Sequence, residues 1–114
     1  MKVFISQPMN GMSDQDILER RKQLIELAKQ RCGNDVEIID SFTKSEEIIG
    51  RGRIAMLGDS IALMRDADVV LFARGWKTSA GCKVEHEVCV QYQIRRIFEE
   101  LIPDATPENA KYWR

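Results

Sequence analysis

Four short apolar runs, separated by longer segments with helical periodicity, constrain the fold of this chain more than any other feature. The runs are residues 3–5, 36–39, 68–73 and 96–98. They are rich in β-branched and aromatic side chains, and the first and third contain continuous apolar stretches. Such runs are typical of parallel strands that are covered on both faces of a sheet. We therefore predict four strands, of which the fourth is the weakest.

Three amphipathic helices are predicted between these strands, at residues 14–31, 54–65 and 79–93. Ser13 stands three residues before Asp16, which approximates a capping box at the start of the first helix. Ser79 or Thr78 is the predicted N-cap of the third helix. An inward-facing apolar stripe is predicted on the second helix, formed by Ile54, Leu57, Ile61 and Met64.

The order β-α-β-α-β-α-β predicts an α/β fold with helices on both faces of the sheet. We expect a Rossmann-like (flavodoxin-like) three-layer sandwich with a four- to five-stranded, mostly parallel sheet in the strand order 2-1-3-4. The predicted domain is residues 1–102. Residues 103–114 are predicted to be an irregular C-terminal tail, because two of the three prolines fall there.

Charge and cysteine usage narrow the classes of partner and location. Lys and Arg total 17 against 18 Asp and Glu, so the net charge of −1 gives no reason to expect a nucleic-acid polymer or a membrane as partner. Three cysteines without a repeated spacing favour a reducing compartment over a disulfide framework. No run of residues is apolar for long enough to span a bilayer. We expect a cytoplasmic protein that binds a small molecule.

Ligands of such sheets bind beyond the carboxyl ends of the strands, where the strand order reverses. Three loops meet there in the predicted topology: 6–13, 40–45 and 74–81. Their polar and small residues are the candidate ligand contacts, namely Ser6, Gln7, Pro8, Asn10, Gly11, Asp40, Ser41, Arg74, Gly75, Trp76, Ser79 and Gly81. The amides and hydroxyl of the first loop suit a sugar or a base, although an ordinary βα turn would have the same composition. A basic cluster of Lys44, Arg51 and Arg53 suits a phosphate, or is simply a solvated loop.

The start of the third helix carries the strongest chemical signal. Small residues at 79–81 allow a ligand to approach the free N–H groups and the positive end of the helix dipole, although a structural strand–loop–helix junction also favours them. Glu85 follows Gly81 by four residues, and its side chain leans back toward the strand ends. A carboxylate there could act as a nucleophile or a base, or be an ordinary surface residue near a helix N-terminus.

Cys82, His86 and Cys89 share one face of the same helix at spacing i, i+4, i+7. They could present three metal ligands, or Cys82 and His86 could form a nucleophile pair. Neither alternative has support elsewhere, because no CxxC pair or second histidine exists. Neither a dinucleotide fingerprint nor a P-loop is present, so we predict no metal and no cofactor.

Three segments resemble the nucleoside 2-deoxyribosyltransferase-like proteins, in particular their small phage- and bacterium-type members. They are Phe4-Ile5-Ser6-Gln7-Pro8, Ala67-Asp68-Val69-Val70 and Ser79-Ala80-Gly81-Cys82-Lys83-Val84-Glu85. The resemblance spans roughly residues 2–98, and its last motif is moderately specific.

The resemblance implies cleavage of an N-glycosidic bond, or transfer of a deoxyribosyl group, through a glutamate nucleophile. That glutamate corresponds to Glu85, and the contacts at the helix start correspond to Ser79 and Gly81. The leaving base needs a proton, which Asp40 or Glu87 could supply. Small members of such folds often complete their pocket with a neighbouring subunit. We therefore expect a homo-oligomer, with Trp76, Tyr92, Trp113 and the tail as possible contacts.

Two positions depart from the pattern of that family. Its N-terminal aromatic residue is often a Tyr whose hydroxyl bonds the nucleophile, and here it is Phe4. Its transferases also tend to place an Asp where this chain has Arg74, which could instead favour a phosphorylated ligand. Both departures keep open a second class of function, a non-catalytic nucleotide-binding or sequestering protein.

Overall fold

The computed structural model describes residues 1–43 and 50–101. Four strands form one parallel sheet: β1 (Lys2–Ser6), β2 (Glu37–Ile38), β3 (Val69–Phe72) and β4 (Arg95–Phe98). Their order is β2-β1-β3-β4, and all three pairings are parallel. The predicted α/β class and the strand order 2-1-3-4 are therefore confirmed within the described residues.

Three α-helices connect the strands: α1 (Asp14–Cys32), α2 (Arg53–Leu63) and α3 (Ala80–Tyr92). Single 3₁₀ turns follow α2 at Met64–Asp66, precede α3 at Trp76–Thr78 and follow β4 at Glu99–Leu101. Ser13 caps α1 by accepting a hydrogen bond from the backbone N–H of Asp16. The predicted capping of α1 is thus confirmed, and the second helix ends slightly earlier than predicted because its last turn tightens to 3₁₀ geometry.

The core has two layers, one on each face of the sheet. Alternate strand residues point to opposite faces, so Val3 and Ile5 pack with Leu24 and Ala28 of α1. Phe4 lies on the other face, in a cluster that includes Cys82 and Cys89 of α3 together with Val70, Phe72, Phe98, Met64 and Trp76. A sheet covered in this way on both faces is the predicted three-layer sandwich.

One part of the predicted stripe on the second helix is wrong. Met64 is buried as expected, but Ile54 is 87% exposed and no residue of α2 is fully buried. The physical reason is that the first turns of α2 border a cavity rather than the sheet: Arg53, Met56 and Leu57 line that cavity, and Ile54 lies off this helix face, in solvent.

Several predictions about assembly and the chain's end fall partly outside the described residues. The structure does not describe the predicted tail from residue 103 onward, which includes Trp113, nor Lys44 of the basic cluster. Of the aromatic residues proposed for a subunit contact, Tyr92 is exposed, whereas Trp76 is buried within its own chain. The homo-oligomer stays a prediction. Within the described ranges, no helix combines the length and the apolar character needed to cross a bilayer.

Candidate functional site

A cavity of ≈480 Å³ opens beyond the carboxyl ends of β1 and β2, between the β1–α1 loop, α2 and the start of α3. Its volume is in the range of small-molecule sites. Seven of the predicted site residues line it: Gln7, Asn10, Gly11, Ser41, Ser79, Gly81 and Glu85. The structure thus brings together residues from all three loops that the topology placed at this edge of the sheet.

Glu85 is buried on the wall of this cavity, with only 7% of its surface exposed. Ser6, the last residue of β1, donates a hydrogen bond from Oγ to Oε1 of Glu85 at 2.6 Å. No other hydrogen bond to this carboxylate is made within the described residues. Oε1 is therefore fixed by Ser6, whereas Oε2 has no hydrogen-bond partner in the described part of the chain.

Burial raises the pKa of Glu85 from its ordinary value of 4.5 to about 7, and the hydrogen bond from Ser6 opposes this rise. Desolvation disfavours the charged form of a carboxyl group, whereas a donated hydrogen bond favours it. The carboxylate is therefore more basic than a surface glutamate and still partly ionised near neutral pH. A carboxyl group of this kind in a cavity is a candidate for covalent or acid–base chemistry.

Ser6 also supplies what Phe4 lacks. The family resemblance pointed to an aromatic hydroxyl as the partner of the glutamate, and Phe4 has none. In the structure the donor to Glu85 comes from two residues further along β1, while Phe4 is one of the residues that line the cavity. The glutamate therefore keeps a hydroxyl donor despite the substitution.

Ser41, in the loop after β2, carries an unsatisfied polar group. Its Oγ is buried and has no hydrogen-bond partner among the described residues, and the residue lines the cavity. A buried hydroxyl without a partner costs free energy, of the order of 1–3 kcal/mol. A ligand with a polar atom at this position would remove that cost.

Gln7 is held at both ends of its amide. Its Nε2 donates to the carbonyl of Ile17 at 3.3 Å, and its Oε1 accepts from Arg21 Nη1 at 3.4 Å. Arg21 also donates to the carbonyl of Ile39 at 3.0 Å. Arg21 as a residue is only 5% exposed, and its burial lowers the pKa of the guanidinium group while the charge of Asp40 opposes this. Arg21 was not among the predicted site residues.

The start of α3 is open to the cavity, as predicted. Ser79 caps the helix by accepting a hydrogen bond from the N–H of Cys82 at 3.3 Å, and Gly81 lines the cavity. A Cβ at Gly81 would lie 3.9 Å from Leu57 Cδ1 of α2, which is an ordinary contact distance, so α2 and α3 approach each other closely here. The positive end of the α3 dipole therefore faces the space in which a ligand would lie.

Six predicted site residues do not line the cavity: Ser6, whose hydroxyl bonds to Glu85, together with Pro8, Asp40, Arg74, Gly75 and Trp76. Pro8 packs near Gly75, where a Cβ would lie 3.7 Å from its Cγ. The backbone N–H groups of Arg74 and Gly75 donate to the carboxylates of Glu99 and Glu100, at 2.8 Å each. These bonds draw the 74–75 turn toward the end of β4, on the side of the sheet away from β2.

Arg74 lies instead in a separate depression of ≈230 Å³ beside α1 and Glu99. Trp76 is buried and stacks on His86, with ring centroids 4.4 Å apart. Arg74 therefore does not place a cation in the main cavity. Within the described residues, the cation that lines it is Arg53, a member of the predicted basic cluster. Arg51 of that cluster pairs with Asp59 at 2.8 Å.

Neither predicted proton donor lines the cavity. Asp40 is exposed and accepts a hydrogen bond from the N–H of Phe42 at 3.3 Å. Glu87 is exposed and accepts one from Gln91 Nε2 at 2.8 Å, one helical turn along α3. Besides Glu85, Asp14 is the carboxylate found among the lining residues of the described chain.

The alternatives built on Cys82, His86 and Cys89 lose their basis. In the part of the chain that the structure describes, no group of three His, Cys, Asp or Glu side chains could hold a metal ion. Nε2 of His86 lies 3.0 Å from Arg96 Nη1. Burial raises the pKa of the Cys82 thiol, despite hydrogen bonds with Ser6 and Ser79. A raised thiol pKa is the opposite of what a cysteine nucleophile needs.

Apart from Arg53, the wall of the cavity that α2 forms was not predicted from the sequence. Arg53, Met56, Leu57 and Ser60 of α2 line it, and Met9 and Met12 of the β1–α1 loop are also lining residues. The four α2 residues are spaced i, i+3, i+4, i+7, so they share one helix face. That spacing was available as a signal, but it mixes polar and apolar residues and was therefore not recognised as a lining.

Comparison with known proteins identifies the family. Neither the curated proteins nor the solved structures include a significant match to this chain. Residues 1–98 match a family that is described as a domain of unknown function, DUF4406. This match covers the whole sheet, all three helices and every residue of the cavity. The chain is therefore a member of the DUF4406 family.

Proposed function

We propose that the chain cleaves the N-glycosidic bond of a nucleoside or nucleotide, or transfers its deoxyribosyl group, with Glu85 as the nucleophile. The observation that supports this most is the buried Glu85 carboxylate on the cavity wall, oriented by Ser6 and with its pKa raised to about 7. The likeness of the motif at residues 79–85 to the nucleoside 2-deoxyribosyltransferase-like proteins supports the same chemistry.

The proposed reaction has two steps. Oε2 of Glu85 forms a bond to the anomeric carbon while the bond from that carbon to the base breaks, and the electron pair leaves with the base. The base then takes a proton, from solvent or from a group in the cavity. A second base, or water, attacks the anomeric carbon, loses a proton to solvent and releases the carboxylate. The covalent intermediate divides one difficult displacement into two easier ones.

The other cavity residues suit the remaining parts of such a ligand. The unsatisfied hydroxyl of Ser41 and the side chain of Asn10 can bond to a sugar or a base. The open start of α3 at Ser79 and Gly81, together with Arg53, suits a phosphate. This set favours a nucleotide over an uncharged nucleoside, with Arg53 in the role that Arg74 was expected to fill.

A panel of 2′-deoxynucleosides and their 5′-monophosphates, each with and without an acceptor base, tests the proposal. We expect chromatography to show release of free base by the unmodified chain. Glu85→Gln should reduce that release by at least about a thousandfold, because it removes the nucleophile. Glu87→Gln is the matched control, since it makes the same change of charge on the exposed side of the same helix.

Equal turnover by the Glu85→Gln and unmodified chains would exclude the assigned role. A second candidate function is a nucleotide-binding or sequestering protein without turnover. It is favoured by the position of Asp40 and Glu87, neither of which lines the cavity to protonate a leaving base. Thermal stabilisation by a member of the panel, without release of base, would identify this second function.

A further inference from the structure

We propose that Gln7 presents a fixed N–H donor to the ligand, and that Arg21 is the positioning residue that fixes it. This inference refines the proposed function, because it states which kind of ligand atom the end of β1 recognises. Gln7 is 5% exposed, lines the cavity and follows Ser6, the partner of Glu85. Its amide is thus a buried polar group beside the proposed site of reaction.

The two bonds of the Gln7 amide determine its orientation. A guanidinium has only N–H donors, and a backbone carbonyl only accepts. Oε1 must therefore face Arg21, and Nε2 must face the carbonyl of Ile17. A flipped amide would set donor against donor at Arg21 and acceptor against acceptor at Ile17. One orientation is consequently strongly preferred.

This orientation leaves one defined group for a ligand. Nε2 carries two protons, and the carbonyl of Ile17 takes one of them. No other hydrogen bond of this nitrogen is made within the described residues. The second proton is available to an acceptor, such as a ring nitrogen or a carbonyl oxygen of a base, or an oxygen of a sugar. A ligand with a donor at the same position would meet an N–H group and bind weakly.

Arg21 is itself held firmly enough to act as a clamp. Its second bond, to the carbonyl of Ile39 at the end of β2, ties α1 to two strand ends at once. Arg21 is 5% exposed as a residue, and its two hydrogen bonds within the described residues go to amide oxygens, while the charge of Asp40 acts on it without a hydrogen bond. Its contacts are thus directed at neutral acceptors whose positions are set by the fold.

Side-chain amide NMR tests the clamp without any ligand. In the unmodified chain we expect the Gln7 side-chain NH₂ signals to be shifted from random-coil positions and to exchange slowly with solvent. Arg21→Met should move them toward random-coil values. Arg20→Met is the matched control on the adjacent residue, because Arg20 pairs with Glu99 and not with Gln7. Random-coil signals for Gln7 in the unmodified chain would overturn the inference.

Binding of 2′-deoxyadenosine 5′-monophosphate and 2′-deoxyuridine 5′-monophosphate to the Glu85→Gln chain tests the ligand contact without turnover. Adding Gln7→Glu should weaken binding at least about tenfold, since it replaces the donor by an acceptor that Arg21 holds ionised. Arg21→Met should weaken binding in the same direction, and Arg21→Lys should restore part of it. Melting temperatures show which variants remain folded.

The outcomes separate this inference from the proposed function. Binding that is unchanged by Gln7→Glu and by Arg21→Met, in folded proteins, overturns the inference while leaving Glu85 in its role. Binding that depends on Gln7, together with no release of base by the unmodified chain, supports the inference and excludes glycosidic cleavage. No binding by any variant overturns the ligand contact.

Discussion

At the scale of single residues, the ionisation of Glu85 governs the proposed chemistry. A nucleophilic carboxylate must be charged, and the pKa of Glu85 is raised to about 7 by burial. We therefore expect kcat/KM for base release to rise with pH and level off above about pH 7. If Glu85 acted instead as a general acid, the rate would fall over the same interval. The pH dependence of base release thus separates the two roles.

Ser6→Ala should move that pH dependence in a defined direction. The hydroxyl of Ser6 stabilises the charged form of Glu85, so its loss should raise the pKa of the carboxyl group further. The rising limb should shift to higher pH, by about one unit. Ser60→Ala is the control, because Ser60 lines the same cavity without bonding to Glu85. An equal shift in both variants would contradict this account.

The sequence allowed some of these residues to be predicted, but not how they interact. The position of Glu85 followed from local spacing, four residues after Gly81 at the start of a helix. The hydrogen bond between Ser6 and Glu85 joins residues 79 positions apart, so no local pattern could reveal it. Arg21 was missed because a charged helix residue is normally exposed. Its burial depends on acceptors that directly follow β1 and β2, which only the folded chain brings together.

At the scale of elements, the caps of α1 and α3 are similar in structure and different in position. Ser13 and Ser79 each accept a hydrogen bond from the N–H three residues later, at 3.1 and 3.3 Å. Replacement of either by Ala should lower the free energy of unfolding by about 1 kcal/mol, as measured by urea denaturation. Only Ser79 lines the cavity, so only Ser79→Ala should also weaken nucleotide binding.

The variant Ser79→Asp distinguishes the contribution of this residue to helix capping from its contribution to nucleotide binding. Aspartate is an effective N-cap, so the variant should regain the stability that Ser79→Ala loses. It would also place a negative charge at the helix start, where the proposed phosphate binds, and so should weaken binding of a 5′-monophosphate. A loss of stability in Ser79→Asp equal to that in Ser79→Ala would contradict the capping role.

Strands and helices were predictable because their signals are local. The apolar runs and the capping residues identified β1, α1, β3 and α3, and the strand order 2-1-3-4 is the one expected of a flavodoxin-like sheet. The lining of the cavity by α2 was not predictable in the same way. Whether Leu57 faces a core or a cavity depends on how closely α2 approaches α3, and this distance is a property of the packed molecule.

At the scale of the whole molecule, burial of Glu85 should couple the stability of the fold to pH. The pKa of this carboxyl group is about 7 in the folded chain against an ordinary 4.5, so the folded state binds more protons between these values. The contribution of this group to the free energy of unfolding is therefore fully present below about pH 4.5. It is lost as the pH rises through about 7. At about 1.4 kcal/mol per unit, the contribution of this group is about 3 kcal/mol.

Glu85→Gln should remove this dependence, because the amide keeps the shape of the side chain and does not ionise. Urea denaturation at intervals from pH 5 to pH 8 should show the variant gaining stability relative to the unmodified chain as the pH rises. For the control variant Glu87→Gln, whose side chain is exposed, the free energy of unfolding should change with pH in the same way as that of the unmodified chain. Parallel curves for Glu85→Gln as well would mean that the carboxyl group titrates as it does in water. That result would exclude a raised pKa for Glu85, and with it the proposal that Glu85 is a more basic nucleophile than a surface glutamate.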